Sequence, residues 1–553
     1  MNSSMQTRKR NNLWIATMLT LTLTISACSS NAPGNQAKPN AGSESNQAIT
    51  NQPADSATAS DTTYPLHTDA ALTYWAPFNP ALNTVKASYN ETPFYEALQQ
   101  ATGVTVSYTS PAIGQEKDSF NILLASGDLP DIVEWDWLKG FPGGPEKAIQ
   151  DGYILKLNDA IEQWAPNLKK YLAEHPEVDK QIKTDNGDYY AFPFIRGDDA
   201  LKVFQGPIIR KDWLDELGLP VPTTMEEWHT TLKAFKENKG ATAPLALLNG
   251  LFDPGAFVGA YGVVHGFYRV GDEVRYGQIQ PEYKAFLTTM RSWYEEGLFD
   301  QNFASIDGKT LDANLLDGAT GATIHNSGGG IGKWTPMLRD IDPKAQLVGA
   351  PYPVLTKGDT PKFGQKDFAY TSVYSAAISA STTNLETAVK FLDYGYSEEG
   401  HMLMNFGILG ESYTMEDGYP KYSELIVSNP DNLGIAQMLA LYTRGSYQGP
   451  FVQDIRYLEQ YYSYPEQLDA IQAWQTQSEE NKLPPVTPSQ EENAEFAAIM
   501  SDVNTLAQQM LEKIILGVDP ISEFDNYVAK IKSSKIDRAI AIQQAALDRY
   551  NSR

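Results

Sequence analysis

Apolar residues along this chain alternate between two rhythms. Leu72-Thr73-Tyr74-Trp75 reads as a strand, and Pro93 to Thr102 sets Phe94, Leu98 and Ala101 on one helical stripe that Gly103 stops. Val104 to Tyr108 is a second strand, Phe120 to Ala125 a short helix, and Ile132 to Trp135 a third strand. The alternation restarts after residue 200. Val203 to Ile209 predicts a strand, and Lys211 to Leu217 a helix closed by Gly218. Thr224 and Glu227 form a capping box ahead of Trp228, Leu232 and Phe235. Pro281 opens a helix carrying Phe286, Met290, Trp293 and Tyr294. Gly321 to His325 reads as a strand running into a glycine-rich loop, and Leu347 to Ala350 as a strand running into Pro351-Tyr352-Pro353, an extended segment suited to crossing between domains. Phe368 to Ser379 is extended, two helices follow over 384–394 and 398–406, and Asp417-Gly418 marks a hairpin. The last third is mainly helical, with a capping box at Ser489 and Glu492 and a final long helix opened by Asp519-Pro520. Strands alternating with helices predict an α/β protein with mostly parallel sheets covered on both faces.

The beginning of the chain has a different pattern. Arg8-Lys9-Arg10 precedes an apolar run from Leu13 to Ile25 that ends in Ile25-Ser26-Ala27-Cys28. A basic region, a short apolar run and small residues make a secretory signal, too short for a membrane span. Cys28 is the only cysteine, so no internal disulfide can form. From there to about residue 68 the chain is rich in Ser, Asn, Ala, Pro and Gln, which predicts a flexible tether.

Composition narrows the function. The 553 residues are enough for two or three cores. The formal charge of -25, about -28 without Arg8, Lys9 and Arg10, argues against nucleic acid and favours neutral over strongly anionic ligands, although a local basic pocket can overrule the global sign. No later segment has eighteen consecutive apolar residues.

The segment ending on Cys28 resembles the lipobox of bacterial lipoproteins. That resemblance implies cleavage after residue 27, lipidation of Cys28 with palmitate among its acyl chains, and anchoring to the outer face of the cell membrane; ordinary secretion with an incidental cysteine is the alternative. In the body, Gly127-Asp128-Leu129-Pro130-Asp131-Ile132, the run 189–194 (YYAFPF), 209–218 (IRKDWLDELG), 222–228 (PTTMEEW), 388–394 (AVKFLDY) and Tyr413-Thr414-Met415-Glu416-Asp417-Gly418 occur in order. Together they resemble the extracellular solute-binding lipoproteins of bacterial carbohydrate ABC importers, above all the long oligosaccharide-binding branch of Gram-positive type. The resemblance implies a two-lobed periplasmic-binding-protein-like fold of type II, a hinge-closing clamp with a helical C-terminal region. It divides the chain into a signal peptide (1–27), a tether (28–68), a first lobe (69–197 plus 354–418) and a second lobe (198–353 plus 419–553). Crossings are expected near Phe194-Ile195-Arg196 and Pro351-Tyr352-Pro353. The implied partners are an oligosaccharide ligand, the permease subunits of the importer and the membrane under the lipid anchor. A monomer without a cofactor is expected.

A sugar ring needs an aromatic platform and planar polar groups for its hydroxyls. In an open α/β sheet, ligands sit beyond the carboxyl ends of the strands. Trp75 ends the first strand, and Trp135 and Trp137 straddle Asp136 at the end of the third. Alternation sends Glu134 and Asp136 to one side and both tryptophans to the other. Trp213 and Trp228 sit in amphipathic helices and read as core. Arg196, next to the first crossing, is placed to clamp hydroxyls or a carboxylate, or to pair with Asp198 or Asp199. Asn326 precedes glycines that let a ligand approach the backbone, and Tyr374 and Glu411 complete the candidate ligand set. Asp185-Asn186-Gly187-Asp188 has its glycine too early for an EF-hand and reads as a turn, so no metal site is expected, although some alginate-binding relatives carry a structural calcium loop.

Two alternatives stay open: the same fold binding a peptide or another solute, and a secreted polysaccharide-active enzyme. For an enzyme, Glu134, Asp136 and Glu411 supply carboxylates, but nothing fixes their separation, and HExxH, GxSxG and compact histidine pairs are absent. The reading is therefore a binding protein rather than an enzyme.

Overall fold

Four strands build the first sheet, in the spatial order Ser375–Ile378, Ile132–Trp135, Ala71–Trp75, Thr105–Thr109. The computed structural model describes residues 62–248, 255–431, 433–444 and 449–553. The signal segment, Cys28 and most of the tether lie outside the described residues. Ala71–Trp75 runs parallel to both neighbours, and Ser375–Ile378 closes the sheet antiparallel, with Ser375 opposite Trp135. All four residues of the inner strand Ile132–Trp135 are buried, whereas the edge strand Thr105–Thr109 alternates exposed and buried positions.

The second sheet corrects the expectation of parallel strands. Its order is Ala322–Asn326, Gln205–Arg210, Leu347–Gly349, and both pairings are antiparallel. This brings the start of one strand to the end of the next, with Gln205 opposite Asn326. Residues 327–332, expected as a loop, form a π-helical turn that runs straight into the helix Lys333–Ile341. The final helix is likewise two helices, Phe524–Ser533 and Ile536–Asn551, because Lys535 adopts a left-handed backbone (φ 66°) between them.

Three segments pass side by side between the sheets. Phe194–Arg196 pairs in parallel with Phe451–Gln453, and on its other side Ile195 bridges Tyr370 while the Arg196 N–H donates to the Ala369 carbonyl. The expected return crossing at Pro351-Tyr352-Pro353 lies elsewhere. The Tyr352 hydroxyl donates to the Gln205 carbonyl (2.9 Å), and Val354 bridges Thr224, so this stretch stays with the second sheet.

The first core gathers Leu72, Phe94, Val133, Phe192, Ile378 and Phe391, and the second Trp228, Phe235, Phe286 and Trp293 with Val503 and Met510 from the helix Gln490–Ile515. Trp213 and Trp228 are buried, as their helical spacing predicts. The helix Ile435–Tyr442 packs on Pro93–Thr102, beside the first sheet. The described end of the tether is also docked. Tyr64 donates to the Lys390 carbonyl (2.6 Å), and the Leu66 N–H donates to the Thr102 carbonyl (2.7 Å). Tyr64 and Leu66 are large apolar residues in a stretch otherwise poor in them, and both pack against the first core.

Candidate functional site

The strand Ile132–Trp135 delivers its side chains alternately to two faces. On one, Glu134 is fully buried, accepting from the Arg444 guanidinium (2.6 Å) and the Tyr74 hydroxyl (2.7 Å). On the other, Trp135 lies flat on Phe120, with centroids 4.5 Å apart and planes at 18°. Trp75 meets Trp135 edge-on at 5.9 Å, and Tyr374 lies 6.2 Å away. Gly140 keeps this arrangement open, because a Cβ there would fall 2.5 Å from the indole nitrogen of Trp135. Trp137 points to the same side as Trp135 but is wholly buried, with its indole N–H donating to the Val133 carbonyl (3.2 Å). It presents no face to a ligand, which corrects its expected platform role: the short strand ends before it and the chain folds back over it.

Several cavities open among the described residues, and two of them take in residues of the candidate set. The first, about 390 Å³, sits on the crossing segments and is lined by Phe194, Arg196, Phe204, Asn326, Asp367, Thr371 and Val373. Arg196 and Asn326 thus meet here, the one from a crossing and the other from the exposed end of a second-sheet strand. Arg196 is held by Asp367 (2.9 Å) and by the Leu201 carbonyl. The second cavity, about 520 Å³, opens beyond the first-sheet strands. Lys117, Asn121, Trp135 and Phe141 line one wall, and Asn493, Phe496 and Gln543 from C-terminal helices the other.

The loop 371–374 runs from the first cavity towards Trp135, and its Tyr374 lines neither cavity. Thr371 and Val373 line the first cavity, while the Tyr374 ring faces Trp135 of the second. Ser372 (φ 66°) and Tyr374 (φ 50°) both hold left-handed backbones, which cost a non-glycine residue about 1–3 kcal/mol each. The surroundings impose the geometry: Ser375 donates to the Tyr370 hydroxyl (3.2 Å), and the Gly449 N–H donates to the Tyr374 carbonyl (3.3 Å). Extended structure was expected here, and it begins only at Ser375.

Trp75 is 7% exposed and lines neither cavity; it braces Trp135 from behind. Glu411, exposed, lines neither of these two cavities. Its carbonyl accepts from the Ser423 hydroxyl, and its charge helps push up the Tyr442 phenol, so it sits with the hairpin Tyr413–Tyr422 and the neighbouring helix. Phe204, Asp367, Val373, Asn493 and Gln543 escaped the sequence reading. An antiparallel second sheet would have flagged Phe204, which precedes the strand paired with Asn326. At the turn 185–188, Asp185 accepts from Arg549 (2.6 Å) and Arg553, and Asp188 pairs with Lys156 (2.5 Å). Among the described residues, no cluster of three or more His, Cys, Asp or Glu side chains is arranged to hold a metal ion, and no helix is long and apolar enough to cross a membrane.

The sequence profile of bacterial extracellular solute-binding proteins matches residues 83–402, more than half of the chain. The chain belongs to this family. Lipoprotein LipO of Bacillus subtilis (strain 168) is 25% identical over 350 residues, which make up 60% of this chain and 65% of LipO, just under two thirds of that relative's length. The fructooligosaccharide ABC transporter substrate-binding protein FusA of Streptococcus pneumoniae serotype 4 (strain ATCC BAA-334 / TIGR4) is 24% identical over 502 residues, covering 84% of this chain and 88% of FusA. The structure of FusA with kestose matches with a TM-score of 0.65 at 23% identity, over 87% of this chain and 100% of that one. An HMO-binding, ABC-transporter-associated solute-binding protein from Bifidobacterium longum infantis ATCC 15697 matches with a TM-score of 0.69 at 20% identity, over 87% of this chain and 99% of that one. These likenesses establish the fold: the two-lobed, type II solute-binding architecture with a helical C-terminal region. As a member of the family, the chain is a solute-binding protein.

Proposed function

We propose that this protein is the lipid-anchored receptor of an ABC importer, which captures an oligosaccharide between its lobes and hands it to the membrane permease. The observation that carries the reading is a pair of cavities whose walls draw on the first sheet, the crossing segments, the second sheet and the C-terminal helices, together roomier than one sugar ring needs. Their walls combine aromatic faces (Phe194, Phe204, Trp135, Phe496) with planar amides (Asn121, Asn326, Asn493, Gln543), the pairing that a ring with one apolar face and a rim of hydroxyls requires. The names of FusA, for fructooligosaccharides, and of YtcQ of Bacillus subtilis (strain 168), for polygalacturonan and rhamnogalacturonan, support the same class of ligand.

Within this reading, Trp135, Arg196, Asn326 and Tyr374 contact the ligand, Trp75 supports Trp135, and Trp137 and Glu411 take no part. The first lobe runs to about residue 197 and resumes near residue 369, keeping the helices through Ile455–Tyr461; the packing of Ile435–Tyr442 on Pro93–Thr102 supports this boundary. The lipobox-like segment supports a Cys28 anchor on the extracellular face of the cell membrane, and the three adjacent crossings support closure of a monomer around its solute.

A ligand that binds only the native state raises the melting temperature. The test is a thermal-shift screen against neutral and acidic oligosaccharides and peptides. Stabilisation by a class of oligosaccharide is the expected result. Stabilisation by peptides alone, or hydrolysis of the glycans, would overturn the sugar-receptor reading.

A further inference from the structure

The second cavity carries a charge pattern that the chain as a whole does not. The protein is strongly acidic, with a formal charge of -25. Yet among the described residues the only charged side chains lining this cavity are Lys117 and Lys139. Lysines elsewhere on this lobe pair with carboxylates, Lys147 with Asp151 and Lys183 with Asp179 among them. Among the described residues, neither Lys117 nor Lys139 has a carboxylate within 4.0 Å.

Each of the nearby carboxylates accepts from a backbone donor. Asp136 Oδ1 accepts from the Lys139 N–H (3.0 Å), and its charge also attracts the Lys139 ammonium beyond ion-pair distance. Glu116 accepts from the Gly114 N–H (2.8 Å). The two exposed lysines thus give this wall of the cavity its positive charge. Lys117 and Asn121 are four residues apart on the helix Glu116–Ser126 and so share a face. Trp135, Phe141 and Phe496 supply the apolar surfaces around them.

We propose that this cavity receives a sugar ring bearing a carboxylate, a uronate, and that Lys117 and Lys139 hold that carboxylate while Trp135 and the amides engage the rest of the ring. The proposal rests on the oligosaccharide reading and narrows it to acidic glycans, reversing the preference drawn from net charge.

The test is calorimetry on the full-length protein in detergent. The probes are trisaccharides of galacturonate, mannuronate and glucuronate, each beside its carboxyl-reduced neutral counterpart, with kestose as an unrelated neutral glycan. At least one acidic glycan should bind about tenfold or more tightly than its reduced form, as charge-assisted hydrogen bonds imply. That ratio should shrink in 0.5 M salt. In a K117Q/K139Q variant it should fall towards one. Both lysines project from the wall rather than the core, and circular dichroism of the variant, beside K117Q and K139Q alone, checks that the fold persists. A reduced form that binds as well as its acid in every pair overturns the proposal, as does a double variant that keeps the ratio. If kestose or the reduced sugars bind and the acids do not, the uronate proposal falls while the oligosaccharide receptor stands. If no glycan binds, both fall.

Discussion

Arg196 donates to Asp367 across 2.9 Å, and this contact joins the outgoing crossing to the returning one, 171 residues later in the chain. The guanidinium is almost fully buried, packs over Phe204 and also reaches the Leu201 carbonyl. Asp367 in turn has Lys482 at 3.5 Å. Replacing Arg196 with alanine leaves a partly buried carboxylate with one weaker partner. We expect Arg196→Ala to cost about 1–3 kcal/mol in urea unfolding, the range for a hydrogen bond to a charged group. Because the same side chain lines the first cavity, ligand affinity should fall as well. Unchanged stability would mean that the contact is not a tie between the crossings.

The division of the candidate ligand set makes a second prediction. Asn326 is exposed at a strand end in the first cavity, whereas Glu411 lies with a hairpin outside both. Asn326→Ala should weaken oligosaccharide binding about fivefold or more, the loss of one neutral hydrogen bond, with no change in melting temperature. Glu411→Ala should leave affinity unchanged. Calorimetry on the two variants decides it, and the reverse pattern would move the binding site towards the hairpin.

What the sequence made legible was the part set by local pattern. The first three strands, the helix Pro93–Thr102, and the capping boxes at Thr224 and Ser489 all follow from periodicity and end signals. Alternation also put Trp135 and Trp137 on one side and Glu134 on the other. It could not show that Trp135 borders a cavity while Trp137 is sealed behind it, since that depends on where residues 138–144 fold back. The antiparallel second sheet was hidden because strand direction is a property of pairing, not of a single segment. The partners of Arg196 and Glu134 lie 171 and 310 residues away, and no spacing rule reaches that far. The strained loop 371–374 reads as extended sequence, because its left-handed residues are Ser and Tyr rather than glycine.

Glu227 gives a prediction in pH. Its carboxylate accepts from the N–H (2.8 Å) and hydroxyl (2.7 Å) of Thr223 and pairs with Lys357, which together pull its pKa down to about 2. A carboxyl with a depressed folded-state pKa stabilises the fold fully above its unfolded value, near 4.5, and loses that contribution as pH falls towards 2. Glu227→Ala should therefore cost about 1 kcal/mol at pH 7, the typical value of a helix cap. The difference from wild type should close as unfolding is repeated at successively lower pH below 4.5. A deficit that persists unchanged near pH 2 would show that the side chain acts through packing rather than charge.

The buried pair of Glu134 and Arg444 separates structural from functional carboxylates. Glu134 is fully buried and Arg444 nearly so, and the guanidinium lies over the rings of Tyr89 and Tyr95. Burial pushes the phenols of Tyr74, Tyr89 and Tyr95 upward, which keeps them neutral around the ion pair. A catalytic or ligand-binding carboxylate needs access to the cleft, and Glu134 lines neither cavity. Arg444→Met should leave Glu134 buried without its cation, at a cost of about 3–5 kcal/mol. Pairing it with Glu134→Gln, which removes the orphaned charge, should recover a substantial part of that loss. Urea unfolding of the two single variants and the double measures the coupling. Strictly additive losses would show that the two groups do not act as a pair, and a specific loss of ligand affinity in folded Glu134→Gln would return this carboxylate to the binding site.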